Sequence, residues 1–205
     1  LGWRALAAAA SDLAAMGADP ECFTLALTLP AVDEQWLEDF SMGLRKASEA
    51  FGLELAGGDT TSGPLTLSLQ VHGTVEQGAG IRRSGARPGD LIAVSGTLGD
   101  AGAALDYLSE HAPSADMLAV LERYHHPWPR LDLACAIRQY ANAAVDISDG
   151  LLADLGHILA ASGVGAQIES GRMPLSPALV RLKGEKALDC ALRSGDDYEL
   201  CLCFS

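Results

Sequence analysis

Asp146-Ile147-Ser148-Asp149-Gly150 lies where a short apolar strand pattern at 143–147 gives way to a helical pattern at 150–161. One tight turn separates its two aspartates, so both carboxylates can face one cation, and the helix N-terminus adds backbone donors for a phosphate oxygen. Ser148 or Asp149 serving only as the N-cap of the helix would explain the same residues. On either interpretation, this stretch joins a predicted strand to a predicted helix.

Strands and helices alternate outward from this stretch. Two signals predict strands, namely apolar residues that alternate with polar ones and short runs of apolar residues. They place strands at 23–29, 53–56, 65–75, 91–95 and 198–204. Apolar residues at helical spacing and bounding Gly or Pro residues predict helices at 5–16, 33–51, 100–108, 117–124 and 130–140. The Gly-rich stretch at 77–80 divides the chain, so we predict an α/β (α+β) protein of two domains, 1–77 and 78–205.

The composition restricts the classes of partner. With 27 acidic against 14 basic residues, the formal net charge is -13, which repels nucleic-acid backbones and anionic membrane surfaces. The Ala-rich run at 5–15 is too short to span a bilayer. The five cysteines are scattered without zinc-type spacing, which is typical of reduced thiols in the cytosol. The sequence predicts a cytoplasmic protein without nucleic-acid or membrane partners, in which a polyphosphate ligand requires divalent cations.

Two further acidic positions are candidate cation ligands. Gly57-Gly58-Asp59-Thr60-Thr61 follows a predicted strand, where paired glycines let the backbone approach a bulky ligand and Asp59 can hold a cation on its phosphates. A hairpin turn with a polar tip is the alternative. Asp12 interrupts an Ala/Leu helix, so its carboxylate either faces water or has a cation or a donor as its partner.

Two charged segments are candidate binding sites. Arg82 and Arg83 lie beside the Gly-rich stretch, where an arginine fork suits a phosphate, although a surface ion pair explains them equally well. Ser194-Gly195-Asp196-Asp197-Tyr198-Glu199-Leu200 packs three acids around an aromatic ring, which suits a cationic aromatic substrate; otherwise it is an acidic turn. The chain has no Gly-x-x-x-x-Gly-Lys-Ser/Thr loop and no Gly-x-Gly-x-x-Gly, so common NTPase and dinucleotide sites lose their main support.

In this order, the motifs resemble the thiamine-monophosphate kinase family of the aminoimidazole-ribonucleotide-synthetase-like superfamily. The matching stretches span nearly the whole chain: Ser11-Asp12-Leu13-Ala14-Ala15-Met16-Gly17-Ala18, Gly57-Gly58-Asp59-Thr60-Thr61, Arg83-Ser84-Gly85-Ala86, Pro88-Gly89-Asp90, Asp146-Ile147-Ser148-Asp149-Gly150-Leu151 and Gly195-Asp196-Asp197-Tyr198-Glu199-Leu200. The acidic motifs recur across the superfamily, whereas the first and last stretches together point to this family.

The resemblance implies ATP-dependent phosphorylation of thiamine monophosphate to thiamine diphosphate, assisted by several magnesium ions. The implied metal ligands are four aspartates: Asp12, Asp59, Asp146 and Asp149. The implied ATP contacts are Gly58, Asp59, Arg83 and Ser148, and the implied contact with the thiamine substrate is Asp197. No catalytic side chain is implied beyond the metal ligands. The implied fold has two α/β domains, and the N-terminal domains of two subunits pair into a barrel, which makes a homodimer.

The chain departs from the family pattern at three places. Ala8-Ala9-Ala10 stands where the family usually has an Asn-containing segment, and Asp196 stands where it usually has Glu. The family's N-terminal portion, with further metal-binding aspartates, precedes Leu1, and its C-terminal end follows Ser205, so the resemblance implies a longer whole protein. The alternatives are another ATP-dependent enzyme of the superfamily, such as a selenophosphate or purine-pathway synthetase, and a nucleotide-binding module without catalysis.

Overall fold

The computed structural model describes all 205 residues of the chain. Its helices are α1 (Gly2–Ala15), α2 (Glu34–Phe51), α3 (Asp100–Ala104), α4 (Ala115–His125), α5 (Ala134–Tyr140), α6 (Leu151–Ser162), α7 (Pro177–Lys183) and α8 (Ala187–Arg193). Its strands are β1 (Asp19–Leu29), β2 (Glu54–Ser62), β3 (Thr66–Thr74), β4 (Leu91–Val94), β5 (Ala141–Asp146) and β6 (Leu200–Phe204). None of the helices combines the length and the apolar character needed to cross a bilayer.

The first three strands form one sheet in the order β2-β1-β3, in which β1 is parallel to β2 and antiparallel to β3. Phe23 and Leu27 of β1 enter a core that the apolar faces of α1 and α2 complete. α2 begins at an N-cap, Asp33, whose side chain accepts a hydrogen bond from the amide of Trp36. It ends at Gly52, which adopts the left-handed conformation that closes many helices.

The other three strands form a second sheet in the order β4-β6-β5, in which β6 is antiparallel to both neighbours. α6 buries Leu151, Leu155 and Ile158 in the core of this sheet. β5 ends at Asp146 and α6 starts at Leu151, so the acidic turn at 146–150 joins a buried strand to a packed helix. Both of its ends are therefore held by the core.

α1 belongs to both halves of the chain. Leu6 and Ala10 lie in the core of the first sheet. Nearer the C-terminal end of the helix, Ala15 packs in a separate small cluster with Leu200 of β6. Because the last turn of α1 reaches the second sheet, Asp12 on that turn lies beside β5.

The structure differs from the sequence-based predictions at several places. β2 continues through Gly57-Gly58-Asp59-Thr60-Thr61, so the placement of this motif after a strand, or in a hairpin turn, is wrong. Every residue of β2 is exposed, and such an edge strand shows no apolar alternation from which its length could be predicted. The helix predicted at 130–140 begins at Ala134, after a 3-10 turn. The helices α7 and α8, which have 7 residues each, are not predicted from the sequence.

Gly58 lies where β2 approaches β1 closely. A Cβ atom at Gly58 would collide with the carbonyl of Leu25, whereas a Cβ atom at Gly57 would meet nothing within 4 Å. Gly58→Ala is therefore expected to lower the free energy of unfolding by about 2 kcal/mol, since overpacking costs roughly 1–3 kcal/mol. Gly57→Ala, the control, is expected to stay within about 0.5 kcal/mol of the parent. Urea unfolding measures both, and equal effects of the two substitutions would contradict this account.

Candidate active site

A cleft of about 410 Å³ opens between the C-terminal part of α1, residues 81–84 and β5. Its polar lining consists of Asp12, Arg82, Arg83, Ser84 and Asp146, and the remainder is apolar. Three of the residues singled out by the family resemblance, Asp12, Arg83 and Asp146, are thus brought together by the fold. They come from a helix, a loop and the end of a strand.

Asp12 and Asp146 form an acidic pair without a basic partner. Asp146 is 5% exposed, whereas Asp12 lies exposed on the surface of α1. Burial and the negative charge of Asp12 raise the pKa of the Asp146 carboxyl from 3.8 to about 6. Neither carboxylate takes part in an ion pair. The adjacent Ser11 hydroxyl is fully buried beside the Asp146 carboxyl, and its hydrogen bonding offsets part of the rise in pKa. These oxygen atoms fit a magnesium ion, which prefers oxygen ligands.

The two arginines of the cleft are free to bind an anion. Arg82 and Arg83 are exposed, and neither guanidinium forms an ion pair in a chain with 27 acidic residues. The surface ion pair considered as an alternative is therefore not formed. Their backbone is fixed, because the Arg82 carbonyl accepts a hydrogen bond from the Ala144 amide and the Arg83 carbonyl accepts one from the Ser162 hydroxyl. A free guanidinium near an unneutralised acidic pair suits a phosphate–metal complex.

Asp154 fixes the shape of the acidic turn. Its Oδ2 atom accepts hydrogen bonds from the amides of Ser148, Asp149 and Gly150 at 3.0, 3.0 and 3.1 Å. These three amides therefore point at Asp154. The N-cap of α6 is Gly150, so the alternative of a side-chain cap from Ser148 or Asp149 is wrong. Asp149 is exposed and Asp146 is buried, so the two carboxylates occupy different environments.

Glu199 is neutralised within the chain. It is fully buried, and its carboxylate accepts hydrogen bonds from Arg130 at 2.6 and 2.7 Å, from Arg123 at 2.6 Å and from the Ser95 hydroxyl. Burial raises the pKa of Glu199, but the hydrogen bonds from Arg130 and Ser95 and the charges of the arginines outweigh it, so the pKa is lowered. Glu199 therefore contributes no uncompensated charge to the acidic stretch at 194–200, because two guanidinium groups already compensate its charge.

Asp197, the predicted substrate contact, lies beneath the surface next to the start of α3. It is 2% exposed; its Oδ2 atom accepts a hydrogen bond from the Gly99 amide at 2.7 Å, and its Oδ1 atom is buried without a partner. Burial raises its pKa to about 7. The flanking residues Asp196 and Tyr198 have φ angles of 69° and 51°, and Asp196 pairs with Arg4 at 2.9 Å. In this conformation Asp197 offers almost no surface to a substrate.

Gly58 and Asp59 lie far from the cleft within one chain. Asp59 is opposite Ala26 of β1, whereas α1 passes into β1 near Asp19. Those seven strand residues correspond to about 23 Å at 3.3 Å per residue. No three His, Cys, Asp or Glu side chains of the chain are grouped closely enough to hold a metal ion. One chain thus brings together Asp12 and Asp146, and not the whole set of four predicted metal ligands.

Three residues that shape this region are not predicted from the sequence. Asp154 stands four positions after Gly150, and an acid in the first turn of a helix is a signal that could have drawn attention to it. Arg123 and Arg130 carry no comparable signal, because their partner Glu199 is 76 and 69 positions away. Only the folded chain shows that they meet.

Comparison with known proteins adds independent findings. Residues 1–75 match the family described as AIR synthase related protein, N-terminal domain, and residues 87–203 match the corresponding C-terminal domain. The thiamine-monophosphate kinase of Escherichia coli (strain K12) is 50% identical over 205 residues, covering 98% of this chain and 63% of that protein. The crystal structure of thiamine-monophosphate kinase from Stenotrophomonas maltophilia K279a is 48% identical with a TM-score of 0.95, covering 100% of this chain and 67% of that one.

A structure of AaThiL complexed with AMPPCP and TMP is also similar, with 35% identity and a TM-score of 0.94 over 99% of this chain and 67% of that one. These likenesses confirm the two-domain α/β (α+β) fold that the motifs imply. The chain spans 63% of the length of the curated relative from Escherichia coli.

Proposed function

Because the chain belongs to the thiamine-monophosphate kinase family and matches both AIR synthase related domains, we propose that it forms the core of a cytoplasmic enzyme that phosphorylates thiamine monophosphate to thiamine diphosphate with ATP. The names of the relatives and the AMPPCP and TMP bound in the AaThiL complex support this donor and acceptor. The five free cysteines support a reducing compartment. We place the boundary between the two domains near residues 77 and 78.

The cleft at Asp12 and Asp146 is the observation that carries this proposal. A buried carboxylate with a raised pKa, a second carboxylate beside it and two unpaired arginines meet in one cavity. Perturbed acids in a cleft are typical of functional sites. We propose that Asp12, Asp146 and Asp149 hold magnesium and that Arg83 and Ser148 contact ATP.

The main obstacle to the reaction is electrostatic, because donor and acceptor are both anionic phosphates. Two unit charges about 4 Å apart repel by roughly 1 kcal/mol in water and roughly 4 kcal/mol at an effective dielectric of about 20. Magnesium, when bound, neutralises phosphate charge and stabilises the charge that spreads in the transition state. Arg83 binds phosphate oxygens and orients the nucleotide, and the fixed loop that carries it limits its movement. The acceptor is a phosphate oxygen that is already ionised, so the transfer needs no general base. We propose that the transfer is direct and in-line, with no phosphoenzyme.

We propose further that the enzyme is a homodimer, in which Gly58 and Asp59 reach the cleft of the second copy. Two observations support this: Asp59 lies on β2, an edge strand whose residues are all exposed, and it is about 23 Å along β1 from the turn after α1. An edge strand with unpaired backbone groups is normally covered. Pairing of two N-terminal domains through β2 would cover it and would add Asp59 to the aspartates of the cleft.

A mixing experiment tests whether Asp59 acts across the subunits. Asp59→Asn and Asp146→Asn homodimers are each expected to be inactive. Randomly mixed subunits are expected to recover about a quarter of the parent activity, because half of the dimers are mixed and each has one site with both aspartates intact. The measurement is turnover after co-refolding, with each variant refolded alone as a control. No recovery in verified mixed dimers would contradict a shared site.

The proposed reaction is tested in the longest natural protein that contains these 205 residues. We expect magnesium-dependent formation of thiamine diphosphate and ADP from thiamine monophosphate and ATP, measured by chromatography. Magnesium-dependent AMPPCP binding without formation of thiamine diphosphate would contradict the substrate assignment. It would favour either another ATP-dependent enzyme of the superfamily or a nucleotide-binding module.

A further inference from the structure

One helix, α6, contacts both segments that carry the candidate ligands. At its N-terminal end, Asp154 is 3% exposed, and a single carboxylate oxygen accepts all three amides of Ser148, Asp149 and Gly150. Three donors on one charged oxygen restrain the turn strongly, because hydrogen bonds to an ionised acceptor are about twice as strong as neutral ones. β5 holds the backbone of Asp146, and the restrained turn carries Asp149, so its conformation fixes where the second carboxylate lies relative to the first.

At the C-terminal end of the same helix, Ser162 restrains the arginine loop. Its hydroxyl accepts hydrogen bonds from the amides of Gly85 and Ala86 at 3.1 and 3.2 Å and donates one to the Arg83 carbonyl at 3.3 Å. One side chain thus holds three backbone groups of the loop on which Arg83 stands. A serine at the last position of a helix would otherwise be an ordinary surface residue.

We propose that Asp154 and Ser162 are positioning residues, which set the distance between the cation-holding turn at 146–150 and the phosphate-binding loop at 83–86. The two residues are eight positions apart on a rigid helix, which corresponds to about 12 Å. Neither side chain lines the cleft. Ser162 acts through the backbone of Arg83, which does line it, and Asp154 acts through the backbone of the turn that follows Asp146. The proposal rests on the proposed function only for the identity of the ligand, a magnesium–nucleotide complex.

The two ends of α6 make separable contributions to binding. Loss of Asp154 leaves three amides without their acceptor and frees the turn, so the cation site suffers first. Loss of Ser162 frees the arginine loop while the turn keeps its restraint, so nucleotide affinity falls without a change in the magnesium requirement. A purely structural role of either residue would change both properties together with the melting temperature.

The test uses calorimetric titration of AMPPCP at a series of magnesium concentrations, in the longest natural protein containing this chain. Asp154→Ala is expected to raise the magnesium concentration needed for half-maximal binding roughly 10- to 100-fold, the usual effect of losing a partner that orients metal ligands. Asp154→Asn, which keeps one acceptor oxygen, is expected to restore most of this loss. Ser162→Ala is expected to weaken AMPPCP binding about fivefold at saturating magnesium, and Ser162→Thr to restore it.

Hydrogen exchange provides a readout that is independent of any ligand. Asp154→Ala is expected to accelerate exchange at the amides of 148–150, and Ser162→Ala at those of 85–86, each without affecting the other segment. His157→Ala, an exposed substitution on the same helix, is the matched control and is expected to change neither binding nor exchange.

Three outcomes would overturn the proposal. They are unchanged magnesium dependence in Asp154→Ala, equal effects of both alanine variants on both segments, and a parent protein that binds no AMPPCP. A parent that binds magnesium–AMPPCP but does not phosphorylate thiamine monophosphate would refute the proposed function alone, since the positioning roles are judged by binding and exchange.

Discussion

Asp146→Asn is expected to stabilise the magnesium-free protein and, in the same molecule, to lower magnesium-dependent turnover by at least about 100-fold. The loss of activity follows because Asp146 is a proposed direct ligand, and even partners that only orient metal ligands cost roughly 10- to 100-fold when removed. The gain in stability follows because the folded chain buries this carboxylate beside Asp12 without a cation, which raises its pKa from 3.8 to about 6.

The sign of the pH dependence follows from that shift. A raised pKa in the folded state means that ionisation of Asp146 opposes folding: the penalty is absent below about pH 3.8, grows as the pH rises and is complete above about pH 6. The shift corresponds to roughly 3 kcal/mol at pH 7.5 and about half of that at pH 5. Asp146→Asn removes the penalty, so its advantage over the parent should be larger at pH 7.5 than at pH 5.

Urea unfolding in the presence of a chelator measures this difference at both pH values. Asp149→Asn in the same turn is the control, and it is expected to leave stability almost unchanged because Asp149 is exposed. Magnesium and AMPPCP together should stabilise the parent and not Asp146→Asn, since a ligand stabilises only the state that binds it. If Asp146→Asn were less stable than the parent at pH 7.5 without magnesium, ionisation of Asp146 would not carry the expected free-energy penalty in the folded chain.

The sequence predicts most of the first domain because its elements carry their own periodic patterns. Phe23 and Leu27 alternate with polar residues along β1, and α2 has both an apolar face and a capping aspartate. β2 escapes prediction beyond its first residues, since a fully exposed edge strand needs no apolar alternation. α7 and α8 have only 7 residues each, too few for a helical period to stand out, although Ser176 and Pro177 do form an N-terminal cap.

The candidate site, like the fold, has a part that the sequence predicts and a part that it does not. Asp12, Arg83 and Asp146 could be selected from the sequence through their motifs, and the fold does place them around one cleft. The environment of each acid could not be predicted, because it depends on partners that are distant in sequence. Asp197 and Glu199 are two positions apart, yet one is buried with an unpartnered oxygen and the other is bound by two arginines. An acidic stretch therefore indicates where charge is concentrated, and only tertiary packing decides which charges remain available to a ligand.

Glu199→Ala is expected to be among the most destabilising single substitutions in the chain, lowering the free energy of unfolding by about 3–5 kcal/mol. Glu199 is fully buried and is the common acceptor of Arg123 and Arg130. Its removal leaves two guanidinium groups facing each other without a counter-charge. Both arginine side chains are about a quarter exposed, at 25% and 26%, so water can relieve part of this repulsion and the lower end of the range is favoured.

The acid dependence of this effect has the opposite sign to that of Asp146. The pKa of Glu199 is lowered in the folded state, so its contribution is fully present above its ordinary value of 4.5 and is lost as the pH falls through the folded pKa. Glu169→Ala is the control, because Glu169 is exposed and lies 3.9 Å from Arg172, and exposed pairs contribute little. Chemical unfolding at pH 7.5 compares the two, and similar losses for both would contradict a central role for Glu199.

Arg130→Met tests whether Glu199 is a hub, meaning a carboxylate shared by Arg123, Arg130 and Ser95, or half of a simple ion pair with Arg130. If Glu199 is the hub, loss of Arg130 still leaves its carboxylate with Arg123 and the Ser95 hydroxyl, so the cost should be clearly smaller than that of Glu199→Ala. If Glu199 and Arg130 were an isolated buried pair, removing either partner would leave one uncompensated charge, and the two costs would be similar.

Glu199 also connects β6 to the acidic turn. Its backbone carbonyl accepts a hydrogen bond from the Ile147 amide, so the ion-pair cluster around Glu199 holds β6 against the segment that carries Asp146. Destabilisation by Glu199→Ala should therefore be accompanied by faster hydrogen exchange at Ile147, whereas Arg130→Met should leave that amide protected.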